Sequence, residues 1–508
     1  MKHPKDFRVL LVYPELQGML VLPLSIGLFT AILKRAGYQV ALFDTAHYVT
    51  DETISPANRV KFLQARAFDY GKDLRVRWKT DLFGDFRRTV DSFRPDLLVV
   101  TSVEDTWLQA VALLACVDDL RIPSICGGVF VTAVPEKAIA FPPVRMIGMG
   151  DGEEIVALVA ERVRRGESYD GIPGVWVKRE DGSILKTPRG PVVDINPLPV
   201  PDFSLFEESR FYRPMGGKVH RTIPLETYRG CPYACSFCNS PMQWKLSREQ
   251  DAGNFLRRKP IAGLRREITE LIATYDPGLF YIVDDSFLAR PEKEIEALAA
   301  MYAEFRIPFW MNTRPETITS KTLGWLREMN CYRMSLGLEA GNETYRDRVL
   351  HRKMRNEKLL EHFGYAAEGG VTFSINNIIG YPDETRDLVL ETIMLNRQLR
   401  GFDSLTVSIF TPYHGTELRR VAEQKGYLDP GVITTHTTSS SLLHMPAPYL
   451  SRDEIDHLMR TFPLYVHLDR ARWPEIAQAE TDDRTFARLQ EEFQRSVWGT
   501  DPDRGGMP

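Results

Sequence analysis

The chain has 508 residues, which is long for a single hydrophobic core and predicts about two to four domains. Its content of 43% hydrophobic and 10% aromatic residues is enough to fill such cores, so a disordered chain is excluded. With 64 Lys and Arg against 68 Asp and Glu the net charge is −4, and this balance provides no strong positive field for a nucleic acid.

The longest weakly interrupted apolar run, at 19–33, contains only 15 residues and includes Pro23 and Gly27. A membrane-spanning helix needs about 20 such residues. The amino terminus leads into a short strand and not into the apolar region of a signal peptide. We therefore expect a soluble, cytoplasmic protein with no membrane span and no nucleic-acid partner.

The first 160 residues alternate short apolar segments with helical patterns. The patterns predict helices at 24–36 and 108–117, an inserted helical segment at 51–90, and strands at 8–13, 39–44, 97–101, 122–126 and 144–147. Nearly continuous apolar strands separated by helices predict a parallel sheet that is covered on both faces. In such folds the ligand lies at the carboxyl ends of the strands.

Residues 161–221 differ in pattern from the first 160. Asp181 and Gly182 separate two short strand-like segments and predict a hairpin, while four prolines between 191 and 201 predict a linker. The alternation then resumes at 222–425, with strands predicted at 224–228, 279–283, 309–312, 333–338, 372–379 and 405–410. Six strand–helix units predict a partial (β/α)6 barrel with its active site at the carboxyl ends of the strands. Residues 426–508 are predicted to form a small, mostly helical region that caps the barrel or helps to bind the substrate.

The most specific motif follows the first strand of the predicted barrel. Cys231, Cys235 and Cys238 have the spacing C-x3-C-x2-C, whereas the other three cysteines are scattered. Three thiolates can bind three irons of a [4Fe–4S] cluster and leave the fourth iron open to chelate S-adenosylmethionine. The alternative is a structural zinc site, but zinc normally takes four protein ligands and no second cysteine pair is present. The spacing therefore favours the cluster.

With this motif, residues 222–425 resemble the radical S-adenosylmethionine (SAM) superfamily. Phe237, directly before the third cysteine, matches the family motif, in which this aromatic residue packs beside the adenosyl group. The resemblance implies further cofactor contacts at the ends of the later strands, made by Asp284, Asp285, Glu339, Gly380 and Pro412. His414, close to the last of these positions, is expected either to reach the substrate or to have a structural role.

Residues 1–160 resemble the cobalamin-binding domain that precedes the barrel in one subgroup of that superfamily. The resemblance implies cobalamin contacts by residues in polar and glycine-rich turns, namely Ser25, Thr101, Ser102, Gly127, Gly128, Gly150, Gly152 and Glu153. Glycine allows a backbone to approach a bulky ligand closely. The alternative is a plain flavodoxin-like module in which these glycines only form turns. The D-x-H-x-x-G motif that supplies a histidine to cobalt is absent, because Asp44 and His47 have the wrong spacing.

Together these patterns predict an α/β enzyme that consists of a Rossmann-like (flavodoxin-like) domain, a partial barrel and a helical carboxy-terminal region. The resemblance implies a [4Fe–4S] cluster, SAM and cobalamin as cofactors. The implied reaction is methylation of an unactivated carbon, or of a phosphinate phosphorus, in a small-molecule substrate through a 5′-deoxyadenosyl radical and methylcobalamin. A non-methylating enzyme such as an oxidative cyclase or a ring-rearranging enzyme, and a non-catalytic cobalamin or iron–sulfur sensor, are the alternatives. A flavodoxin- or ferredoxin-type protein is the expected electron donor.

Overall fold

Two seven-stranded sheets form the frame of the molecule, one in each half of the chain. The computed structural model describes residues 1–50, 57–435 and 440–498. Parts of the predicted insertion at 51–90 and of the predicted carboxy-terminal region at 426–508 lie outside the described residues.

The first sheet has the order β2-β1-β3-β4-β5-β6-β7. Its strands are β1 (Arg8–Tyr13), β2 (Gln39–Asp44), β3 (Leu97–Thr101), β4 (Ser124–Gly127), β5 (Met146–Gly148), β6 (Val175–Lys178) and β7 (Ile184–Leu185). The first five strands are parallel and have the strand order of flavodoxin-like folds. Their bounds agree with the predicted strands to within two residues. The predicted hairpin adds β6 and β7 antiparallel to the edge of this sheet.

Helices cover both faces of the first sheet. They are α1 (Leu24–Arg35), α2 (Ala57–Lys61), α3 (Tyr70–Leu74), α4 (Leu82–Phe93), α5 (Glu104–Cys116), α6 (Val129–Ala133), α7 (Pro135–Ala140) and α8 (Gly152–Arg165). Val9 and Leu11 of β1 pack with α1 and α8, whereas Leu10 and Val12 pack with α4 and α5. Successive side chains of a strand point to opposite faces, so a strand between two helical layers must be apolar throughout.

The second sheet has the order β16-β15-β14-β13-β12-β9-β8. The strands of this half are β8 (Tyr212–Met215), β9 (Lys218–Leu225), β10 (Tyr228–Arg229), β11 (Arg257–Arg258), β12 (Leu279–Ile282), β13 (Phe309–Thr313), β14 (Cys331–Glu339), β15 (Thr372–Ile379) and β16 (Ser404–Ile409). The strands β9 and β12 to β16 are parallel, as in the predicted partial barrel, and β8 pairs antiparallel with β9. The short strands β10 and β11 pair only with each other.

The first parallel strand of this sheet lies earlier than its predicted position at 224–228. It ends at Leu225 because the chain then leaves the sheet: the backbone N–H groups of Thr227 and Tyr228 donate to the carboxylate of Asp284 instead of to a neighbouring strand.

Helices alternate with the strands of this half. They are α9 (Ser240–Glu249), α10 (Ile261–Tyr275), α11 (Glu292–Tyr302), α12 (Ser320–Glu328), α13 (Glu343–Arg348), α14 (Asn356–Glu368), α15 (Arg386–Asn396) and α16 (Glu417–Gln424). The carboxy-terminal region adds α17 (Arg452–His467), α18 (Trp473–Ala479) and α19 (Asp483–Phe493). Helix α17 packs beside β16 and α15. Among the helices of the described residues, none combines the length and apolar content that are needed to cross a bilayer.

The segment after α2 reaches from the first half of the chain to the open edge of the second sheet. Phe62 and Leu63 pack into the hydrophobic core formed by β15, β16 and α17. The Gln64 Oε1 atom accepts a hydrogen bond of 3.1 Å from the backbone N–H of Val407 on β16. An unpaired strand edge exposes such N–H groups, and here a side chain from the first domain satisfies one of them.

The structure predicts different costs for two Gly→Ala substitutions. Gly128 has φ 127° and ψ −179°, and a methyl group there would lie 2.0 Å from the carbonyl oxygen of Ser102. Gly166 ends α8 with φ 68° and has open space around it. We expect Gly128→Ala to lower the free energy of unfolding by about 3 kcal/mol and Gly166→Ala by about 1 kcal/mol, as measured by urea denaturation without added cofactor. Equal shifts of the urea midpoint would contradict the packing role of Gly128.

Candidate active site

The three clustered cysteines lie in the loop between β10 and α9, at the carboxyl end of β9. Cys235 is buried, and Cys231 and Cys238 are half-buried. Ser236 fixes this loop, because its hydroxyl donates to the carbonyl oxygen of Val349 and its own carbonyl oxygen accepts from the N–H of Leu418. The loop is therefore held in place by the protein alone.

Two of the cysteine sulfurs accept hydrogen bonds. The Cys235 Sγ atom lies 3.5 Å from the Arg314 Nη1 atom, and the Cys238 Sγ atom lies 3.5 Å from the backbone N–H nitrogen of Ser240. Burial raises the pKa of Cys231 to about 11 and that of Cys238 to about 12. Metal ligation would have to displace the protons from these thiols. Donors aimed at sulfur stabilise the thiolates that remain.

The arrangement of the cysteines fits an iron–sulfur cluster better than a single zinc ion. A zinc ion needs four ligands, with each sulfur about 2.3 Å from one point. In the parts of the chain that the structure describes, no three His, Cys, Asp or Glu side chains are gathered in this way. A [4Fe–4S] cluster instead takes one thiolate on each of several irons. Three thiols in one fixed loop, with N–H donors beside two of them, suit that requirement.

Asp284, at the end of β12, anchors the chain just before the cysteine loop. Its Oδ1 atom accepts from the N–H groups of Thr227 and Tyr228 at 2.8 and 3.1 Å. Its Oδ2 atom accepts from the Thr227 hydroxyl at 2.5 Å and from Arg290 at 2.7 Å. Both oxygens are thus engaged within the protein, and these contacts give the side chain a positioning role.

Asp285 differs from its neighbour. Its side chain is exposed and makes no hydrogen bond or ion pair with a described residue. The surrounding protein displaces water from it, and the negative charges of Asp284 and Glu226 lie nearby, so its pKa rises to about 6. A carboxylate in this setting gains from a cationic ligand such as an amino group.

Glu339 ends β14 with φ 69°, and its carboxylate folds back over the strand. The Oε1 atom lies 3.3 Å from the Arg352 Nη1 atom, while Arg352 Nη2 donates to the carbonyl oxygen of Gly337 at 2.6 Å. Burial raises the pKa of Glu339, although Arg352 and Arg314 oppose this effect. A methyl group on Gly337 would lie 2.2 Å from the Glu339 Oε1 atom, so only glycine leaves room for this carboxylate.

Gly380 begins a turn at the end of β15 with φ 80°. The N–H groups of Gly380 and Tyr381 donate to the buried Glu384 Oε2 atom at 2.5 and 3.3 Å. The Tyr381 ring lies 5.8 Å from the ring of Phe237, as measured between centroids. The structure thereby brings two predicted cofactor residues, Phe237 and Gly380, to one aromatic wall beside the third cysteine.

Glu384 is a residue of this turn that the sequence analysis missed. The available signal was its spacing, because a carboxylate four residues after a turn glycine can accept from the N–H groups of that turn.

Pro412, at the end of β16, is held through its carbonyl oxygen, which accepts from Arg419 and Thr434.

The residues predicted to contact cobalamin lie mainly at the carboxyl edge of the first sheet. This edge comprises the ends of β3, β4 and β5 with the turns that follow them, and it includes Thr101, Ser102, Gly127, Gly128 and Gly150. Ser25 is half-buried in the first turn of α1.

Some of these predicted contacts are used in packing. Gly128 lies against the Ser102 carbonyl, and a methyl group on Gly152 would lie 2.6 Å from the Phe29 ring. Glu153 is buried and pairs with Arg229 at 2.8 Å. For these residues a role towards cobalamin stays a prediction.

Ion pairs join the carboxyl edges of the two sheets. Arg229, two residues before the first clustered cysteine, contacts Asp151 at 3.2 Å, and Arg257 contacts the other oxygen of Asp151 at 2.6 Å. At a second point the Glu104 carboxylate accepts from the His414 backbone N–H at 2.8 Å and lies 2.5 Å from His414 Nδ1. His414 therefore has the structural role that was one of its two expected functions. These contacts turn the carboxyl edges of the two sheets towards each other.

The family comparison identifies part of the barrel. Residues 225–395 match the family model described as the Radical SAM superfamily. The chain is 25% identical to an uncharacterized methyltransferase of Pyrococcus horikoshii over 389 residues, which cover 74% of this chain and 80% of that protein. It is also 25% identical to the anaerobic magnesium-protoporphyrin IX monomethyl ester cyclase of Rubrivivax gelatinosus over 342 residues. That match covers 65% of this chain and 59% of the cyclase, which is less than two thirds of the cyclase's length.

A solved structure matches nearly the whole chain. The radical S-adenosylmethionine methyltransferase TsrM of Kitasatospora setae superposes with a TM-score of 0.62 and 15% identity, covering 97% of this chain and 99% of that one. The TsrM structure holds cobalamin and a [4Fe–4S] cluster. At this level of identity the likeness shows a shared fold. The predicted fold class and the predicted resemblance are thereby confirmed.

Removal of the clustered thiols should abolish iron binding without unfolding the chain. We expect anaerobically reconstituted wild-type protein to hold about four irons per chain, as one cluster requires, and Cys231→Ala/Cys235→Ala/Cys238→Ala to hold almost none. Iron and sulfide analysis measures the difference, and circular dichroism checks the fold. Cys116→Ser is the matched control and should keep the iron. Stoichiometric zinc in freshly purified wild type, with no iron uptake, would exclude the cluster.

Replacement of Glu384 by Gln should alter how stability depends on pH. Burial raises the pKa of Glu384 from 4.5 to about 8. The folded protein then holds a proton that the unfolded chain has lost, so this stabilisation is complete below about pH 4.5 and disappears as the pH rises through about 8. We expect the urea midpoint of the wild type to fall between about pH 5.5 and 8.5 more steeply than that of Glu384→Gln. The exposed-site control, Glu361→Gln, should follow the wild type. Parallel curves for all three proteins would refute the assignment.

Proposed function

We propose that this radical SAM enzyme, whose family match covers residues 225–395, is a cobalamin-dependent methyltransferase for a small-molecule substrate. The proposed acceptor is an unactivated carbon or a phosphinate phosphorus. The observation that carries the proposal is the arrangement of the two sheets, whose carboxyl edges face each other across the contacts of Arg229 with Asp151 and of His414 with Glu104. In each of these folds the carboxyl edge is the place where ligands bind.

The residues around the cysteine loop suit the binding of SAM. When bound, a [4Fe–4S] cluster with SAM supplies a 5′-deoxyadenosyl radical, and cobalamin supplies a transferable methyl group. We assign Cys231, Cys235 and Cys238 as cluster ligands. The Asp285 carboxylate makes no ion pair with a described residue, so it is available for the amino group of SAM.

Other residues of the barrel edge would hold the rest of that cofactor. Phe237 and the turn at Gly380 would hold the adenosyl group, because the Phe237 and Tyr381 rings form a wall beside Cys238. Glu339, paired with Arg352, would face the same cofactor. Asp284 has both oxygens engaged, and we assign it to positioning the cysteine loop.

The first sheet would present cobalamin to the barrel. Thr101, Ser102, Gly127 and Gly128 lie at its carboxyl edge and would line the cobalamin site. His47 is buried, and its Nδ1 atom lies 3.3 Å from Glu207 in the segment between the two sheets. We therefore assign no cobalt-ligating role to His47.

Methyl transfer is favoured over the alternatives by the relatives. The curated relative from Pyrococcus horikoshii and the matched solved structure are both named as methyltransferases. The cyclase relative supports the alternative of a non-methylating reaction with the same barrel chemistry. A sensor would have no need for the Asp285 carboxylate beside the cysteine loop, which pairs with no described residue.

The proposal can be tested before the substrate is known. Reduced, reconstituted protein is incubated with cobalamin and SAM that carries a trideuterated methyl group, and the products are analysed by mass spectrometry. We expect S-adenosylhomocysteine together with cobalamin that carries the deuterated methyl group, and in the same mixture 5′-deoxyadenosine from a second SAM. The Cys116→Ser control should give all three products, whereas the triple cysteine variant should give no 5′-deoxyadenosine.

With candidate substrates, the deuterated methyl group should appear in the product, and two SAM molecules should be consumed per methyl group transferred. Formation of 5′-deoxyadenosine with an unlabelled, cyclised or oxidised product would support the cyclase alternative instead. Failure to form either SAM-derived product would favour a sensor.

A further inference from the structure

We propose that Arg59 and Arg213 form a binding site for the oxyanion group, a carboxylate or a phosphate, of an elongated substrate. The site lies inside the barrel, away from the edge that holds the cofactors. This inference rests on the proposed function, because the other end of the substrate must reach those cofactors.

Arg213 supplies one side of the site. It lies on β8, and its guanidinium carbon is 4.5 Å from the ring centroid of Tyr281 on β12. Its Nη1 atom is fully buried and has no hydrogen-bond partner among the described residues. A buried donor without a partner costs free energy that a bound acceptor restores.

Aromatic rings form the wall beside Arg213. The Tyr281 ring stacks on Trp310 of β13 at 4.1 Å between centroids and 18° between planes. The Trp310 indole N–H in turn donates to the Ser335 hydroxyl on β14 at 3.1 Å. The wall is therefore fixed from behind, and the guanidinium rests on a rigid surface.

Arg59 supplies the other side from a different domain. It lies on α2, in the segment that carries Gln64 to the edge of β16. The side chain stays accessible to solvent although protein surrounds it, as expected of a residue that lines a cavity. Burial and the positive charge of Arg213 lower the pKa of Arg59.

Neither guanidinium has an anionic partner in the described part of the chain. No ion pair joins Arg59 or Arg213 to any described carboxylate, and the Arg59 side chain makes no hydrogen bond to a described residue. Two neighbouring cations without a counter-charge are unfavourable, and each would gain from a shared anion. The planar fork of a guanidinium matches the oxygens of a carboxylate or a phosphate.

The sheet face between this site and the cofactor edge is polar. Asn312, Asn376 and Ser408 lie on the same face as Trp310 and Ser335, opposite the face that packs on the outer helices. All three are half-buried, and the Asn312 and Ser408 side chains make no hydrogen bond to a described residue. This face suits a substrate that carries polar groups along its length.

The register of β12 sets the length of the substrate. Tyr281, beside Arg213, and Asp285, at the cofactor edge, are four residues apart along this part of the chain. At about 3.3 Å per residue the separation is about 13 Å. Because β12 ends at Ile282, about 13 Å is the upper limit of this separation, and a substrate that spans it must be elongated.

Thermal unfolding of the full chain without cluster or cobalamin tests the site. The probes are inorganic phosphate and acetate, titrated separately at constant ionic strength against chloride. We expect at least one of them to raise the melting temperature of the wild type in a saturable manner. Arg59→Gln and Arg213→Gln should weaken the apparent affinity at least about tenfold, since each removes one partner of a buried charge contact. The probe that raises the melting temperature shows whether the site binds a phosphate or a carboxylate.

The matched control is Arg77→Gln, an exposed arginine of the same inserted region, which should behave as the wild type. In anion-free buffer the single variant Arg59→Gln should melt no lower than the wild type, because it loses the repulsion from Arg213 and no ion pair with a described residue. Equal stabilisation of the wild type and of the double variant Arg59→Gln/Arg213→Gln by both anions, or a lower melting temperature of Arg59→Gln without anion, would overturn the site. Anion binding without any SAM cleavage in reconstituted protein would refute the proposed function while leaving the site intact.

Discussion

The buried contacts of Arg229 with acidic groups are the constraint on which the active site depends. Arg229 pairs with Asp151 and Glu153 from the first domain and with Glu226 from its own segment. It lies two residues before Cys231, so the same side chain that joins the domains also fixes the start of the cysteine loop. Breaking a buried ion pair by removing one partner leaves an uncompensated charge, which is strongly destabilising.

The acidic partners of Arg229 respond differently to their environment. Burial alone would raise the pKa of Asp151, but Arg257 and Arg229 together hold it below its usual value. Glu153 has a raised pKa, because burial outweighs the effect of its single arginine partner. Asp151 thus carries the charge that joins the domains, and its two oxygens are shared between two strands of the barrel half, β10 and β11.

The strands of both sheets could be predicted from the sequence because they are buried on both faces or pack on one layer of helices. Polar residues in alternation with apolar ones would have obscured this apolar strand pattern, and β1 and β3 contain almost none. The end of β9 could not be predicted, because it is determined by Asp284, which is distant in the sequence. The hairpin at Gly182 was recognised, but nothing local indicates that it extends the first sheet.

The site residues also divide into those that a local sequence pattern predicts and those that it does not. The cysteine spacing is a local signal and predicts the cluster loop directly. The glycines at the edge of the first sheet are ambiguous, since close approach to a ligand and close approach to Ser102 or Phe29 require the same residue. Contacts between domains, such as that of His414 with Glu104, join residues that are 310 positions apart, and no local pattern reveals them.

The segment around Gln64 makes the edge of the barrel depend on the first domain. Gln64 satisfies the backbone of β16, and Phe62 and Leu63 fill the core beside it, yet all three belong to the chain of the first domain. If the domains separate, this segment is withdrawn and the Val407 N–H loses its partner. Access to the barrel interior and the distance between the two cofactor edges are therefore linked mechanically.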